Sequence, residues 1–176
     1  MNKRMILALT LAVAGGLSAL AEVRVNVNLG VGHPLRRPGR TVIVHRAPPA
    51  GYAARVQYAP PVVWANRNVV NFGRRDRMIF EDRETIRRRD DWVDTYFNVN
   101  NRGEALYFRV NGRAQIDFAE VTFRNGQTQV VDFNEAPIGN GTYTLLDFRD
   151  GRQVEGVRMV ARSQAPQSTI AVLMRK

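Results

Sequence analysis

Tight-turn dipeptides at regular spacing constrain this chain more than any other feature. Asn101-Arg102-Gly103, Asn111-Gly112, Asn125-Gly126, Asn140-Gly141 and Asp150-Gly151 punctuate the C-terminal half every 10 to 15 residues. Asn-Gly and Asp-Gly accept the positive backbone angles of tight hairpins, which most residues adopt only at a steric cost. The intervals leave no room for a helix longer than about three turns. Within them, apolar residues recur at every second position and so share one face of a strand. The expected inward residues are Val93, Phe97 and Val99; Leu106, Phe108 and Val110; Ile116 and Phe118; Val121 and Phe123. They continue with Val131 and Phe133; Leu146 and Phe148; Val157, Met159 and Ala161; and Ile170, Val172 and Met174. The parity changes between Phe118 and Val121, which predicts a bulge or a strand that changes sheets.

About seven to eight strands with one apolar face each fit two packed antiparallel sheets, because one open sheet would leave its apolar face wet. The expected fold is therefore an all-β antiparallel sandwich, with a small closed barrel as the second choice. Asp76 to Asp91, dense in both charges, is expected to form one short strand and a turn rather than a short helix. The run from Ala114 to Gly126, with Gly141 to Asp147, Arg152 to Met159 and Ile170 to Val172, resembles small exported bacterial β-sandwich domains of unknown function. That resemblance spans roughly residues 83–176. It implies an exported sandwich and brings no catalytic residue with it.

The N-terminus reads as a secretory signal. Lys3 and Arg4 precede an apolar run from Met5 to Leu20, and Ala19-Leu20-Ala21 is an A-x-A cleavage site. An anchor needs about 20 strongly apolar residues, whereas this run is shorter and contains Gly15, Gly16 and Ser18. Residues 1–21 are thus expected to be removed, giving a periplasmic or secreted product that starts at Glu22 and has no stable membrane span. The chain has no cysteine, so neither lipid attachment at the cleavage point nor a disulfide framework is available. The core alone must hold the fold, which a domain of about 100 residues can manage.

Loss of Lys3 and Arg4 lowers the formal net charge from +10 to +8, and Lys176 is then the only lysine. From Val23 to Arg75 there is no acidic residue, and six of the eight prolines lie there. Residues 22–75 are therefore expected to be a basic, proline-rich, largely extended and flexible segment before a sandwich at 76–176. Val23 to Leu29 and Thr41 to His45 have strand patterning and are candidate edge strands.

Catalytic chemistry is poorly represented. The two histidines, His33 and His45, both precede the expected domain, and Ser163 and Ser168 are the only serines after Ala21, so a Ser-His-acid triad has no frame. No zinc spacing exists, and Asp132, Asn134 and Glu135, or Asp147 and Asp150, match no calcium loop. No metal, cofactor or catalytic residue is assigned. The acids Asp90, Asp91, Asp94, Asp117, Glu120, Asp132 and Glu135 are expected to pair with arginine on outward faces or turns.

Two surfaces remain as binding candidates. Alternation turns Trp92, Tyr96, Tyr107 and Arg109 outward, where aromatic rings beside a guanidinium stack on sugars, bases or peptides. Arg36, Arg37, Arg40, Arg46 and Arg55 are the candidate polyanion contacts of the basic arm. The leading expectation is an exported non-enzymatic binding or accessory module of the bacterial cell envelope, with an anionic envelope polymer or a protein as partner. A polyanion binder acting through residues 22–75 and a small carboxylate-dependent hydrolase are the alternatives. Export and proline density disfavour genomic nucleic acid. Cleavage is expected after Ala21: N-terminal sequencing of the exported protein should begin at Glu22, and retention of Met1 would refute the signal.

Overall fold

The computed structural model describes residues 42–51, 61–73 and 76–176. Val23 to Leu29, His33, Arg36, Arg37, Arg40 and Arg55 lie outside the described residues, as does the expected signal. The chain forms β1 (Val42–Arg46), β2 (Val62–Trp64), β3 (Met78–Arg87), a 3-10 turn (Arg88–Asp90) and β4 (Trp92–Arg102). There follow β5 (Ala105–Asn111), β6 (Ala114–Phe123), β7 (Thr128–Asp132), β8 (Pro137–Ile138), β9 (Gly141–Asp147), β10 (Gln153–Ser163) and β11 (Gln167–Arg175). Asp76 to Asp91 is indeed strand and turn.

Two sheets pack face to face, as expected of a sandwich. The first has the order β1-β4-β10-β6-β7-β2, with β8 also paired to β6; the second has the order β3-β11-β5-β9. Between them lies one apolar core that includes Val93, Phe97, Phe108, Val121, Met159 and Val172, all without solvent exposure. Phe108 stacks on Tyr143 and meets Phe133 edge-on, so aromatic contacts join the two layers.

The parity change falls earlier than its expected place. Val160 pairs with Phe118 but Ala161 pairs with Ile116, so Asp117 is the extra residue of a bulge in β6. Ile116 and Ala119 therefore both face the core, and Phe118 turns to the outer face, where it packs with Trp92, Val130 and Val160. A second irregularity at Leu106/Tyr107 opposite β9 places both Leu145 and Leu146 in the core.

Thr41 to His45, a candidate edge strand, is matched by β1 (Val42–Arg46), whereas β2 falls among residues expected to be spacer. β1 runs parallel to β4 and β2 runs parallel to β7, so two short strands occupy the two edges of the first sheet. From β2 the chain crosses to the other sheet: Val69 bridges Tyr143, the Val70 amide donates to the Thr142 carbonyl at 2.7 Å, and Phe72 stands edge-on to Tyr107. Residues 61–73 thereby strap one sheet to the outer face of the other. Their lack of a strict period hides this role, because the strap buries only single side chains rather than a periodic face.

The opposite flank is closed by charge. Arg46 on β1 reaches Asp82 at 2.6 Å and Glu84 at 2.7 Å on β3, and donates to the Arg83 carbonyl at 2.9 Å. His45 Nδ1 lies 3.3 Å from the same Glu84. These partly exposed pairs are worth about 0.2–1 kcal/mol each, yet they fix how the two sheet edges meet.

One glycine is set by packing. A Cβ at Gly156 of β10 would overlap the ring of Tyr96 on neighbouring β4, so the glycine supplies the space in which that ring lies. Gly156→Ala should destabilise the protein by about 1–3 kcal/mol through overpacking. Urea denaturation of the two single variants and the double variant with Tyr96→Ser should show the penalty shrinking when the ring is absent; strict additivity would rule out this contact as the cause.

Candidate functional site

The register divides the loops between two ends of the sandwich. At one end lie the β4–β5, β6–β7 and β9–β10 connections. Their charges are neutralised locally: Arg149 pairs with Asp147 at 3.2 Å, Arg152 pairs with Asp150, and Arg102 donates to the Gly151 carbonyl. Arg124 donates to Gln153 at 3.0 Å, and Arg152 lies over the Phe123 ring.

The other end gathers the 3-10 turn and the β5–β6 and β10–β11 connections, and there Arg89 lies 3.7 Å from Asp90 while other arginines lack a close carboxylate. A cleft of about 430 Å³ opens among them, lined by Arg88, Asp91, Arg113, Arg162, Ser163 and Gln164. Three arginines and one carboxylate residue thus line it. Neither Arg88 nor Arg113 has an ion-pair partner among the described residues, and Arg162 Nη1 stands 3.9 Å from Asp91.

The frame around these side chains is tied down. Ser168 Oγ donates to the Arg113 carbonyl at 2.8 Å and accepts from the Arg113 amide at 3.2 Å, fastening the β5–β6 turn to β11. Ser163 Oγ lies 2.8 Å from Ser168 Oγ and donates to the Ala165 carbonyl. The Gln164 amide donates to the Arg113 carbonyl at 2.8 Å, and the Arg88 amide to the Pro166 carbonyl at 3.2 Å. The two serines are therefore structural, holding the turns that carry the arginines. Asp90 is buried and accepts from the Arg87 amide at 2.8 Å, which fixes the start of the 3-10 turn.

Arg162 is held most firmly. Its Nε donates to Gln115 Oε1 at 2.5 Å, Gln115 is anchored in turn on the Glu135 carbonyl at 2.8 Å, and its guanidinium lies 4.9 Å over the Trp92 ring. Of its terminal amino groups, Nη1 stands towards Asp91. Asp91 sits at the cleft with φ 53° and ψ −121°, a conformation that strains a residue bearing a Cβ.

The expected aromatic patch is not formed. Trp92 and Tyr96 belong to the outer face of the first sheet and Tyr107 and Arg109 to the outer face of the second, and the three rings are only 4%, 5% and 5% exposed. Tyr96 covers Gly156, and Phe72 and Arg175 cover Tyr107. Arg109 is engaged by Glu81 at 3.3 Å and by Thr142 at 3.2 Å. Trp92 is linked to the cleft only through Arg162, whose guanidinium lies over its ring. Among the arm candidates, Arg46 is committed to the β1–β3 clasp.

The outward acids are more enclosed than open faces would make them. Asp94, Asp117 and Glu120 are all buried, and Arg158 forks onto both oxygens of Asp94 at 2.9 and 2.5 Å. Arg158 is therefore half of a largely enclosed pair. Sequence reasoning also missed Arg88 and Arg113; their signal was their position beside turns, where a guanidinium is not committed to a strand neighbour. Trp64, 73% exposed on edge strand β2, has no counterpart at the cleft.

No family model, curated protein or solved structure matches the chain. Among the described residues no group of three or more acidic or histidine side chains is placed to hold a metal ion, and no helix is long and apolar enough to cross a membrane.

Burial pushes the Tyr107 hydroxyl above its ordinary pKa of 10.0; Arg175 opposes this, while Asp147, Asp76 and Glu104 add to it. Below pH 10 the residue is protonated in both the folded and the unfolded chain and the shift has no effect. As pH rises past 10 the unfolded chain ionises first, so stability falls until the folded pKa is passed. Denaturation midpoints measured from pH 8.5 to 11 should decline less steeply for Tyr107→Phe than for the parent protein.

Proposed function

We propose that the protein is an exported, non-enzymatic binding module of the bacterial cell envelope, and that it holds the anionic part of its ligand in the arginine cleft. The observation that carries this is the convergence of Arg88, Arg113 and Arg162 on one cavity with a single opposing carboxylate. Elsewhere in the described residues most arginines are matched to carboxylates, carbonyls or rings. Guanidinium groups in a fixed frame pair with carboxylate, sulfate and phosphate through two parallel hydrogen bonds, and each such bond to a charged group is worth about 1.5–3 kcal/mol. The frame is pre-organised by the Ser163–Ser168 clasp and the Trp92–Arg162 stack, which reduces the entropy lost on binding.

Two features weigh against the hydrolase alternative at this site. A two-carboxylate mechanism needs a second acid across the cleft, and Asp91 is the only one lining it. Both serines have their hydroxyls engaged in the turn scaffold.

The exported full chain should be retained on immobilised dextran sulfate and not on neutral dextran. The Arg88→Gln/Arg113→Gln double variant should lose at least roughly tenfold in affinity, the equivalent of one charge-assisted hydrogen bond. Equal retention on the neutral polymer would overturn anion binding. Undiminished binding by the folded double variant would overturn the cleft and move the contact to Arg36, Arg37, Arg40 and Arg55 of the arm.

A further inference from the structure

Resting on the cleft as the binding site, we infer that the group it takes is a phosphomonoester, the terminal phosphate of a sugar- or glycerol-sized alcohol. Three guanidinium groups against one carboxylate leave a formal excess of two positive charges around one cavity. A carboxylate, a sulfate ester or a phosphodiester carries one negative charge and would leave half of that excess uncompensated. A phosphomonoester carries about 1.5 to 2 negative charges at pH 7 and presents three acceptor oxygens. Its charge and its acceptor number both match what the cleft offers.

The donors are of the right kind. Arg88 and Arg113 are free of ion pairs among the described residues, and Arg162, with Nε held by Gln115 and its plane against Trp92, presents its terminal amines in a fixed orientation. Planar guanidinium forks suit tetrahedral phosphate oxygens better than a point-charge ammonium does, and this end of the molecule carries only arginine. Gln164 adds an amide side chain to the lining. A volume of about 430 Å³ accommodates more than the phosphate alone and lies within the range of small-ligand sites, about 300–1,000 Å³.

Asp91 gives the assignment an internal check. It is the sole negative charge on the cleft, so it repels an anion and holds Arg162 only at 3.9 Å. Asn tolerates positive φ at least as well as Asp, so Asp91→Asn removes the charge without adding backbone strain.

Calorimetry on the exported full chain with glucose 6-phosphate and glucose 6-sulfate compares esters of similar size and shape that differ in charge. The phosphate should bind at least about tenfold tighter. Arg88→Gln and Arg113→Gln should each narrow that preference, and Asp91→Asn should tighten phosphate binding severalfold. Misfolding cannot tighten binding, so Asp91→Asn keeps the test decisive where an arginine variant fails to fold. Cosedimentation with phosphatidylcholine vesicles, with and without phosphatidic acid, separates the sources of the same chemistry. Arg113-dependent binding to phosphatidic acid without binding to the soluble ester supports a lipid headgroup; binding to the soluble ester without the vesicles supports a free phosphorylated alcohol. Equal affinity for the two glucose esters would overturn the phosphomonoester and leave anion binding standing. Weaker phosphate binding by Asp91→Asn would also overturn it. Absence of binding to either ester, to the vesicles and to dextran sulfate would remove the cleft itself.

Discussion

Everything in this molecule depends on the contact between two apolar sheet faces, because no disulfide shares the work: the chain has no cysteine. Phe97, Phe108, Val121, Met159 and Val172 are without exposure at this contact. Burial of each large side chain contributes about 1.5–3 kcal/mol against the backbone entropy of ordering its strand. Since the side-chain period of a strand is two, the contact also fixes register. A slip of one residue would place Arg109 or Arg158 in the core, so the sheet faces specify where every outward residue stands.

Register then decides the fate of the charges. The β4–β5, β6–β7 and β9–β10 connections all fall at one end, where Arg149 meets Asp147 and Arg152 meets Asp150 within the same short loop. The 3-10 turn and the turns at Arg113 and Gln164 fall at the other, contributed by residues distant in sequence, with Asp90 buried to hold the backbone and only Asp91 left at the cavity. A net charge of +10 is a property of composition. The gathering of Arg88, Arg113 and Arg162 around one cavity is a property of the fold.

The parts of this arrangement that were legible in the sequence are those written by local rules. Alternation placed Val93, Phe97, Leu106, Phe108, Val157 and Met159 on inward faces, and the Asn-Gly and Asp-Gly pairs marked real strand ends, with Gly112, Gly126 and Gly151 at positive φ. Phe118 was misplaced because a bulge at Asp117 shifts parity by one residue, and the sequence showed that a shift occurs without showing where. The strap at 61–73 was illegible for a different reason. It contributes Val70 and Phe72 singly to a face that another strand provides, so no period exists to detect. The cleft was illegible because its members come from Arg88, Arg113 and Arg162, each an ordinary surface arginine in its own segment.

The misjudged aromatics show how the two levels connect. Trp92 and Tyr107 do point away from the core, as alternation requires, but pointing outward is not the same as being exposed. Phe72 of the strap closes over Tyr107, and Arg162 lies over Trp92. In the first case an outward ring becomes part of the link between sheets; in the second it becomes a platform for a guanidinium. Stacking on Trp92 is worth about 0.5–1 kcal/mol or more for a partly desolvated cation. Together with the Gln115 bond it offsets the entropy of fixing a long side chain and part of the repulsion from Arg88 and Arg113. A cluster of like charges in water tends to splay apart, and an arginine clamped from below by a ring and from the side by an amide cannot follow. Trp92 therefore matters to the cleft by immobilising the charge that a ligand would meet.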